Sequence, residues 1–271
     1  MPLACSVHGC GLPLNRHDRS FVCAAGHSHD IARSGYLNLL QPQDRRSRVA
    51  GDAIFAIDAR AALLDAGIGR TLIEAIAHRI PLLELGSASV IVDLGCGTGN
   101  ALAAVTESRA GIGIDISSAA IDRAARRFPD QMWVVANADR RLPLLDHSVD
   151  LVLSIHGRRN PSEAARVLNA GRCCLVAVPA ADDLIELREL VQGTRLERNR
   201  VEAVLNEYNG LFQIVERSAV RETLHLDRPA LLNLLQGTYR GVRRGVADRV
   251  ATLTNLTVTV ASDLLLLRRK A

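Results

Sequence analysis

Apolar and polar positions alternate along this chain in two rhythms, and the switch between them outlines the fold. From Val90 the pattern reads as strand, helix, strand, helix. Strands are expected at Val90–Leu94, Gly111–Asp115, Gln131–Ala136, Leu151–Ile155 and Gly171–Pro179, each a short run rich in β-branched residues. Helices are expected from Ala101 and over Ala119–Phe128, the second capped by Ile116-Ser117-Ser118. Such alternation implies an α/β doubly wound sheet. Two longer strands, Phe212–Leu226 and Thr254–Leu267, flank a helical stretch from Asp227 to about Arg249 and would close the sheet as an antiparallel pair. Ala180–Arg200 reads as one charged helix whose Glu186, Arg188 and Glu189 face water. Upstream, Asp52–Ala66 reads as a helix with Ile54, Ile57, Ala61 and Leu64 on its buried face. It is ended by Gly67 and Gly69, and a second helix is expected over Thr71–Leu83.

The first 30 residues break the rhythm, being poor in apolar residues and dense in metal-ligand types. Cys5, Cys10, Cys23 and His27 form two close pairs separated by about a dozen residues, so that two tight turns can face one tetrahedral zinc. His8, His17 and His29 compete for the fourth position. A segment this small lacks a core of its own, and a structural metal would supply the missing stability.

The sharpest chemical signal is Asp93-Leu-Gly95-Cys96-Gly97-Thr98-Gly99-Asn100. Alternate glycines remove side chains where a strand turns into a helix, so a ligand can approach the backbone. The spacing is G-x-G-x-G, not the G-x-G-x-x-G of a dinucleotide fingerprint. Asp93 beside the turn suits a cationic ligand and would repel a pyrophosphate. Asp115 ends the next strand, placed to accept hydrogen bonds from ribose hydroxyls, followed by Ile116. Ala138 and Asp139 follow the third strand, and Asp139 is a candidate acceptor for an adenine amino group. His156-Gly-Arg158-Arg159 follows the fourth strand. His156 is a candidate base, because its pKa lies near neutral, and Arg158 a candidate contact to a phosphate or guanine oxygen.

Composition narrows the partners. The 271 residues carry a net charge of +4, are 48% apolar, and only 3% aromatic, which permits RNA binding without an extended stacking platform. Arg45, Arg46 and Arg48 form a basic loop, and Arg240, Arg243, Arg244 and Arg249 a second basic patch. No run is long enough to span a membrane and the start lacks a signal-peptide pattern, so a cytoplasmic location is expected. Three parts are expected: a zinc module (1–36), a connector (37–84) and a catalytic domain (85–271). Oligomeric state stays open, a dimer included.

The glycine turn resembles motif I of class I S-adenosylmethionine-dependent methyltransferases. Together with the Cys/Cys/Cys/His cluster, Ser34-Gly-Tyr-Leu-Asn-Leu-Leu40, Arg45-Arg-Ser-Arg48, Gly51-Asp52, Leu64-Asp-Ala-Gly67, Arg141-Leu-Pro143, Ala165-Arg-Val167 and Leu184-Ile-Glu-Leu187, the chain resembles the 23S rRNA (guanine-N1)-methyltransferases over nearly its whole length. That family includes macrolide-resistance enzymes. The resemblance implies S-adenosylmethionine and structural zinc as cofactors and a 23S rRNA hairpin or loop as partner. The chain departs from the family in its first cysteine spacing, in Gly69 and Asp183 where the family has tyrosine and histidine, and in His156-Gly-Arg158 where the family tends to an aromatic, a small residue and proline. A small-molecule methyltransferase and an inactive RNA-binding relative are the competing readings.

Overall fold

A computed structural model describes residues 1–44, 52–193, 195, 197, 199–238 and 253–270. The arginine loop at 45–48, Gly51 and the basic patch at 240–249 lie outside the described residues.

The chain opens with a three-stranded antiparallel sheet, β1 (Leu14–His17), β2 (Ser20–Cys23) and β3 (Ser28–Asp30), followed by β4 (Leu37–Asn38). Helices α1 (Ile54–Asp65) and α2 (Arg70–Ala77) precede the alternating region. That region runs β5 (Val90–Leu94), α3 (Asn100–Thr106), β6 (Ala110–Asp115), α4 (Ser118–Arg127), β7 (Met132–Val135) and β8 (Val149–Ile155). It continues through α5 (Pro161–Val167), β9 (Leu168–Pro179), α6 (Ile185–Gln192) and α7 (Val201–Tyr208). The chain finishes with β10 (Phe212–Asp227), α8 (Arg228–Thr238) and β11 (Asn255–Arg269).

The large sheet has eight strands in the order β10-β11-β9-β8-β5-β6-β7-β4. Strands β4 to β9 pair in parallel, and β11 lies antiparallel between β9 and β10. The order reverses beside β5, so a crevice opens at the carboxyl ends of β5 and β8, where ligands of doubly wound sheets bind. Central strands such as β5 and β8 are buried on both faces, which accounts for their continuous apolar runs. Among the described residues, no helix is long and apolar enough to cross a membrane.

Several expectations change. The Tyr-Leu-Asn-Leu-Leu stretch supplies β4, a two-residue strand that extends the main sheet at β7. The N-terminal sheet does not stand apart: Leu3, Cys5, Leu14, Phe21 and Cys23 share one apolar cluster with Val134, Leu142 and Leu144, and Ala4 N donates to Pro143 O at 2.9 Å. Helix α1 buries Ile57, Ala59 and Leu63, whereas Ile54 is 63% exposed. Apolar residues occupy all sides of this helix, so periodicity alone could not choose the face; packing against α8 through Leu63, Leu231 and Leu234 decides it. Its end is as expected: Gly67 (φ +83°) closes a Schellman motif, with Gly67 N to Leu64 O at 3.0 Å and Ile68 N to Leu63 O at 2.9 Å. The second helix stops at Ala77, and Pro81–Leu83 forms a separate 3₁₀ turn.

The 180–200 segment is not one helix. It stops at Gly193 (φ +72°), and α7 follows from Val201. Nor do Glu186 and Arg188 form a wet face. Glu186 accepts from Thr259 N (2.9 Å) and Thr259 Oγ1 (2.8 Å), while Arg188 is 6% exposed and donates to Ala181 O. The Glu186 bonds hold α6 against β11, a partner that lies far away along the chain, while Arg188 ties α6 to the segment just before it.

Candidate functional site

Two tight turns make the metal cluster. Cys10 N donates to Val7 O, Gly11 N to Cys5 O, and Gly26 N to Cys23 O, so the Cys5/Cys10 and Cys23/His27 pairs each curl around their own backbone. The donor atoms of Cys5, Cys10, Cys23 and His27 all lie within 4.8 Å of one another. The Cys10–Cys23 sulfurs are 3.8 Å apart, and His27 Nδ1 lies 3.5 Å from Cys5 Sγ and 3.4 Å from Cys23 Sγ. A tetrahedral zinc with bonds of about 2.3 Å to sulfur and about 2.0 Å to nitrogen needs edges of about 3.8 and about 3.6 Å. The set fits that ion and leaves no open coordination position, as in a structural site. Of the rivals, His29 Nε2 reaches Cys5 Sγ at 3.6 Å from outside the four; an imidazole there can donate to a metal-bound thiolate.

The glycine turn sits at the mouth of the crevice. Gly95 N and Cys96 N both donate to Ile114 O, fastening the turn to the end of β6. Asp115 accepts from Gly97 N at 3.0 Å and Ser117 N at 2.8 Å, and a carboxylate has room for further donors. Burial raises its pKa despite these two bonds. Asp93 is 2% exposed, and among the described residues its Oδ1 has no hydrogen-bond partner. Burial, then the neighbouring Asp115 charge, pushes its pKa up to about 7. A buried carboxylate with an unsatisfied oxygen, beside a half-buried one, forms a site that a cationic ligand would stabilise. Among the described residues, a side chain at Gly97 would meet nothing within 4 Å, which leaves space over the turn. Thr98 Oγ1 donates to Asn100 Oδ1 at 2.9 Å within the turn, and desolvation, then the Asp115 and Asp93 charges, hold the thiol of the half-buried Cys96 well above its usual pKa. Ile116 follows Asp115 half-buried, and Ala138 is buried. The donor chemistry thus fits S-adenosylmethionine, with its ammonium and sulfonium charges.

The loop after β8 interlocks with this turn. A Cβ at Gly157 would stand 2.5 Å from Leu94 O, and one at Gly95 would stand 3.1 Å from Arg158 N. Backbone therefore touches backbone, and only glycine fits at 157. His156 takes φ +51°, a left-handed conformation uncommon for a side-chain-bearing residue. Its backbone N–H continues the β8–β9 pairing to Ala177 O, and its Nε2 lies 2.9 Å from Ser262 Oγ. His156 is solvent-exposed as a residue, while its ring is crowded by Ser262, and crowding of this kind is what desolvates an imidazole. Desolvation of the ring, followed by the Arg200 charge, pushes its pKa down to about 4, which favours the neutral imidazole. Arg158 Nη1 lies 3.7 Å from Asp139 Oδ2, so the carboxylate assigned to an adenine faces an arginine of the adjoining loop. A cleft of about 530 Å³ opens between them, with Arg159 and Ser162 on its wall. Arg159 is held by both oxygens of Glu207.

Three residues of this site escaped the sequence reading. Asn160 caps α5 through Oδ1 and donates from Nδ2 to Ala138 O (3.0 Å) and Arg140 O (3.1 Å), tying the segment after β7 to the loop after β8. The Asn-Pro dipeptide was its signal. Trp133 packs over Gly99 and Gly113, where a Cβ would approach the ring to 2.2 and 2.3 Å. Ser262 had no signal, since β11 brings it to His156 across 106 positions. Of the departures, Gly69 (φ +89°) caps α2 and Asp183 Oδ1 accepts from Ala261 N at 3.0 Å.

Comparison with known proteins agrees with both halves. Residues 4–48 match the zinc-ribbon family model described as RlmA, N-terminal, and residues 91–175 match a methyltransferase domain. A 23S rRNA (guanine(748)-N(1))-methyltransferase of Streptomyces fradiae is 36% identical, covering 82% of this chain and 80% of its own. A Micromonospora griseorubida protein provisionally named for guanine-N1 methylation of 23S rRNA is 33% identical over 96% of this chain and 94% of its own. Among solved structures, protein BH2331 of Bacillus halodurans superposes with TM-score 0.54 at 14% identity, over 72% of this chain and 98% of that one, a likeness of fold alone. A zinc ribbon joined to a class I sheet, with relatives this similar over most of its length, places the chain in the 23S rRNA (guanine-N1)-methyltransferase family.

Proposed function

We propose that this protein transfers the methyl group of S-adenosylmethionine to N1 of a guanine in a hairpin or loop of 23S rRNA. The observation that carries the reading is the joining of the zinc ribbon to the catalytic sheet through one apolar cluster, in a chain 36% identical to an enzyme named for that reaction. N1 lies on the pairing edge of guanine, so the base must leave its pair or come from an unpaired loop. S-adenosylmethionine supplies an already reactive methyl group. The chain's own residues then bind and orient. Asp93 faces the positive charge, Asp115 the ribose, and the amides of Gly95 to Gly99 line the turn. Asn137 to Asp139 border the adenine, and the acceptor base enters beside His156. Arg158 is placed to meet a phosphate or the guanine O6 once it leaves Asp139.

The N-terminal 1–36 module would present RNA to the crevice, with the connector from 37 to 84 beside it. The work would then take place in the cytoplasm, where the ribosome is. A protective role against a ribosome-directed antibiotic follows for a target guanine near the drug site. The test is transfer of labelled methyl to unmethylated 23S rRNA, with the modified nucleoside identified by mass spectrometry. Formation of 1-methylguanosine is the expected result. Cofactor binding without transfer to RNA would overturn the reading and point to a small-molecule acceptor; RNA binding without cofactor binding would point to an inactive relative.

A further inference from the structure

The His156–Ser262 contact is outside everything the relatives' names imply. His156 stands at the carboxyl end of β8, beside the glycine turn, in a left-handed backbone conformation. Ser262 lies on β11, opposite Pro179 of β9, and is 2% exposed. Its Oγ is 2.9 Å from His156 Nε2. One ring nitrogen is thus engaged by a buried hydroxyl on a strand, and among the described residues Nδ1 of this exposed residue makes no hydrogen bond. An imidazole so held has one defined orientation and one defined free nitrogen, which is how second partners set the role of a histidine. The strained φ of His156 agrees with a position kept for function over local stability.

We propose that Ser262 is a positioning residue for catalysis: its Oγ accepts a hydrogen bond from His156 Nε2–H, which leaves Nδ1 unprotonated as the acceptor for the guanine N1 proton. The inference rests on the guanine-N1 reading above. In the step, the bond from sulfur to methyl breaks as the bond from that methyl to guanine N1 forms. The N1–H electron pair stays on the ring and the proton passes to His156 Nδ1. The products are 1-methylguanosine in the RNA, S-adenosylhomocysteine and an imidazolium, which returns its proton to water. The acidity of N1–H rises steeply as the nitrogen–carbon bond forms, so a weak base suffices if it is well placed. The low pKa of His156 keeps the ring in the neutral, proton-accepting form before each turnover.

Two measurements test this on the full-length, zinc-loaded protein. The first is the nitrogen-15 spectrum of the His156 imidazole, assigned with His156→Gln. Wild type should show the Nε2–H tautomer, and Ser262→Ala should shift the ring toward a mixture. The second is methyl transfer to 23S rRNA. Ser262→Ala should lower kcat by about 10- to 100-fold, with KM for RNA and affinity for S-adenosylmethionine within about twofold, and His156→Gln should lower kcat at least as much. A wild-type ring protonated at Nδ1, or a Ser262→Ala variant with kcat within twofold of wild type, would overturn the proposal. So would a loss carried by KM alone. If wild type forms no 1-methylguanosine, the proposed function fails, while the spectrum still decides the Ser262–His156 hydrogen bond by itself.

Discussion

Replacing Asp93 by asparagine should separate folding from cofactor binding. The carboxylate is 2% exposed, its Oδ1 has no hydrogen-bond partner among the described residues, and Asp115 is its charged neighbour. Its pKa of about 7 in the folded protein stands against 3.8 for an ordinary aspartate. A difference of roughly 3 units at 1.36 kcal/mol each means that the charged form opposes folding by about 4 kcal/mol. The folded protein binds this proton more tightly than the unfolded chain. The contribution is therefore most favourable below about pH 4, declines as pH rises toward 7, and stays at its full cost above that. In the cofactor-free, zinc-loaded protein at pH 8, Asp93→Asn should raise unfolding free energy by about 2 to 4 kcal/mol, the shortfall being the buried amide's own unsatisfied atoms. It should also flatten the decline in stability between pH 5 and 8. The same change removes the charge that faces the ligand's cationic groups, so S-adenosylmethionine should bind at least about tenfold more weakly. Wild-type affinity should itself fall as pH drops below 7. Urea titrations at the two pH values and calorimetric titration of the cofactor read both effects. A variant less stable than wild type at pH 8, or one that binds the cofactor as tightly, would refute the account.

Other changes test neighbouring parts of the site. Gly99→Ala drives a Cβ to within 2.2 Å of the Trp133 ring at φ +82°, so it should cost about 2 kcal/mol or more in thermal or urea unfolding; Gly97→Ala, with open space around it, should cost less and act mainly on cofactor affinity. Asn160→Ala removes a helix cap and the donors to Ala138 O and Arg140 O, for an expected loss of about 1 to 2 kcal/mol and a raised KM for S-adenosylmethionine; unchanged values in both assays would contradict its bridging role. Protein purified without chelator should carry one zinc per chain by elemental analysis, and Cys23→Ser should release it and lower the unfolding temperature. A metal content well under one in wild type would be decisive against the cluster.

Much of this protein is written locally. The doubly wound order follows from short apolar strands alternating with helices. The glycine turn with Asp93 and Asp115 depends on neighbours a few residues apart, as do the paired cysteines. Such features need only backbone sterics, hydrophobic period and ligand spacing, all of which a single chain displays. What the tertiary structure decided involves partners distant in sequence. Helix α1 has apolar residues on every side, and its buried face was chosen by α8. Glu186 looks like a surface charge until Thr259 of β11, 73 positions away, donates to it. Gly99 reads as room for a ligand, yet Trp133 is what fills the space its missing side chain leaves. Ser262 carries no local mark at all, because its meaning comes from His156, 106 positions away along the chain. Strand order is set by which apolar faces can be buried together, and only the assembled sheet brings those positions into contact.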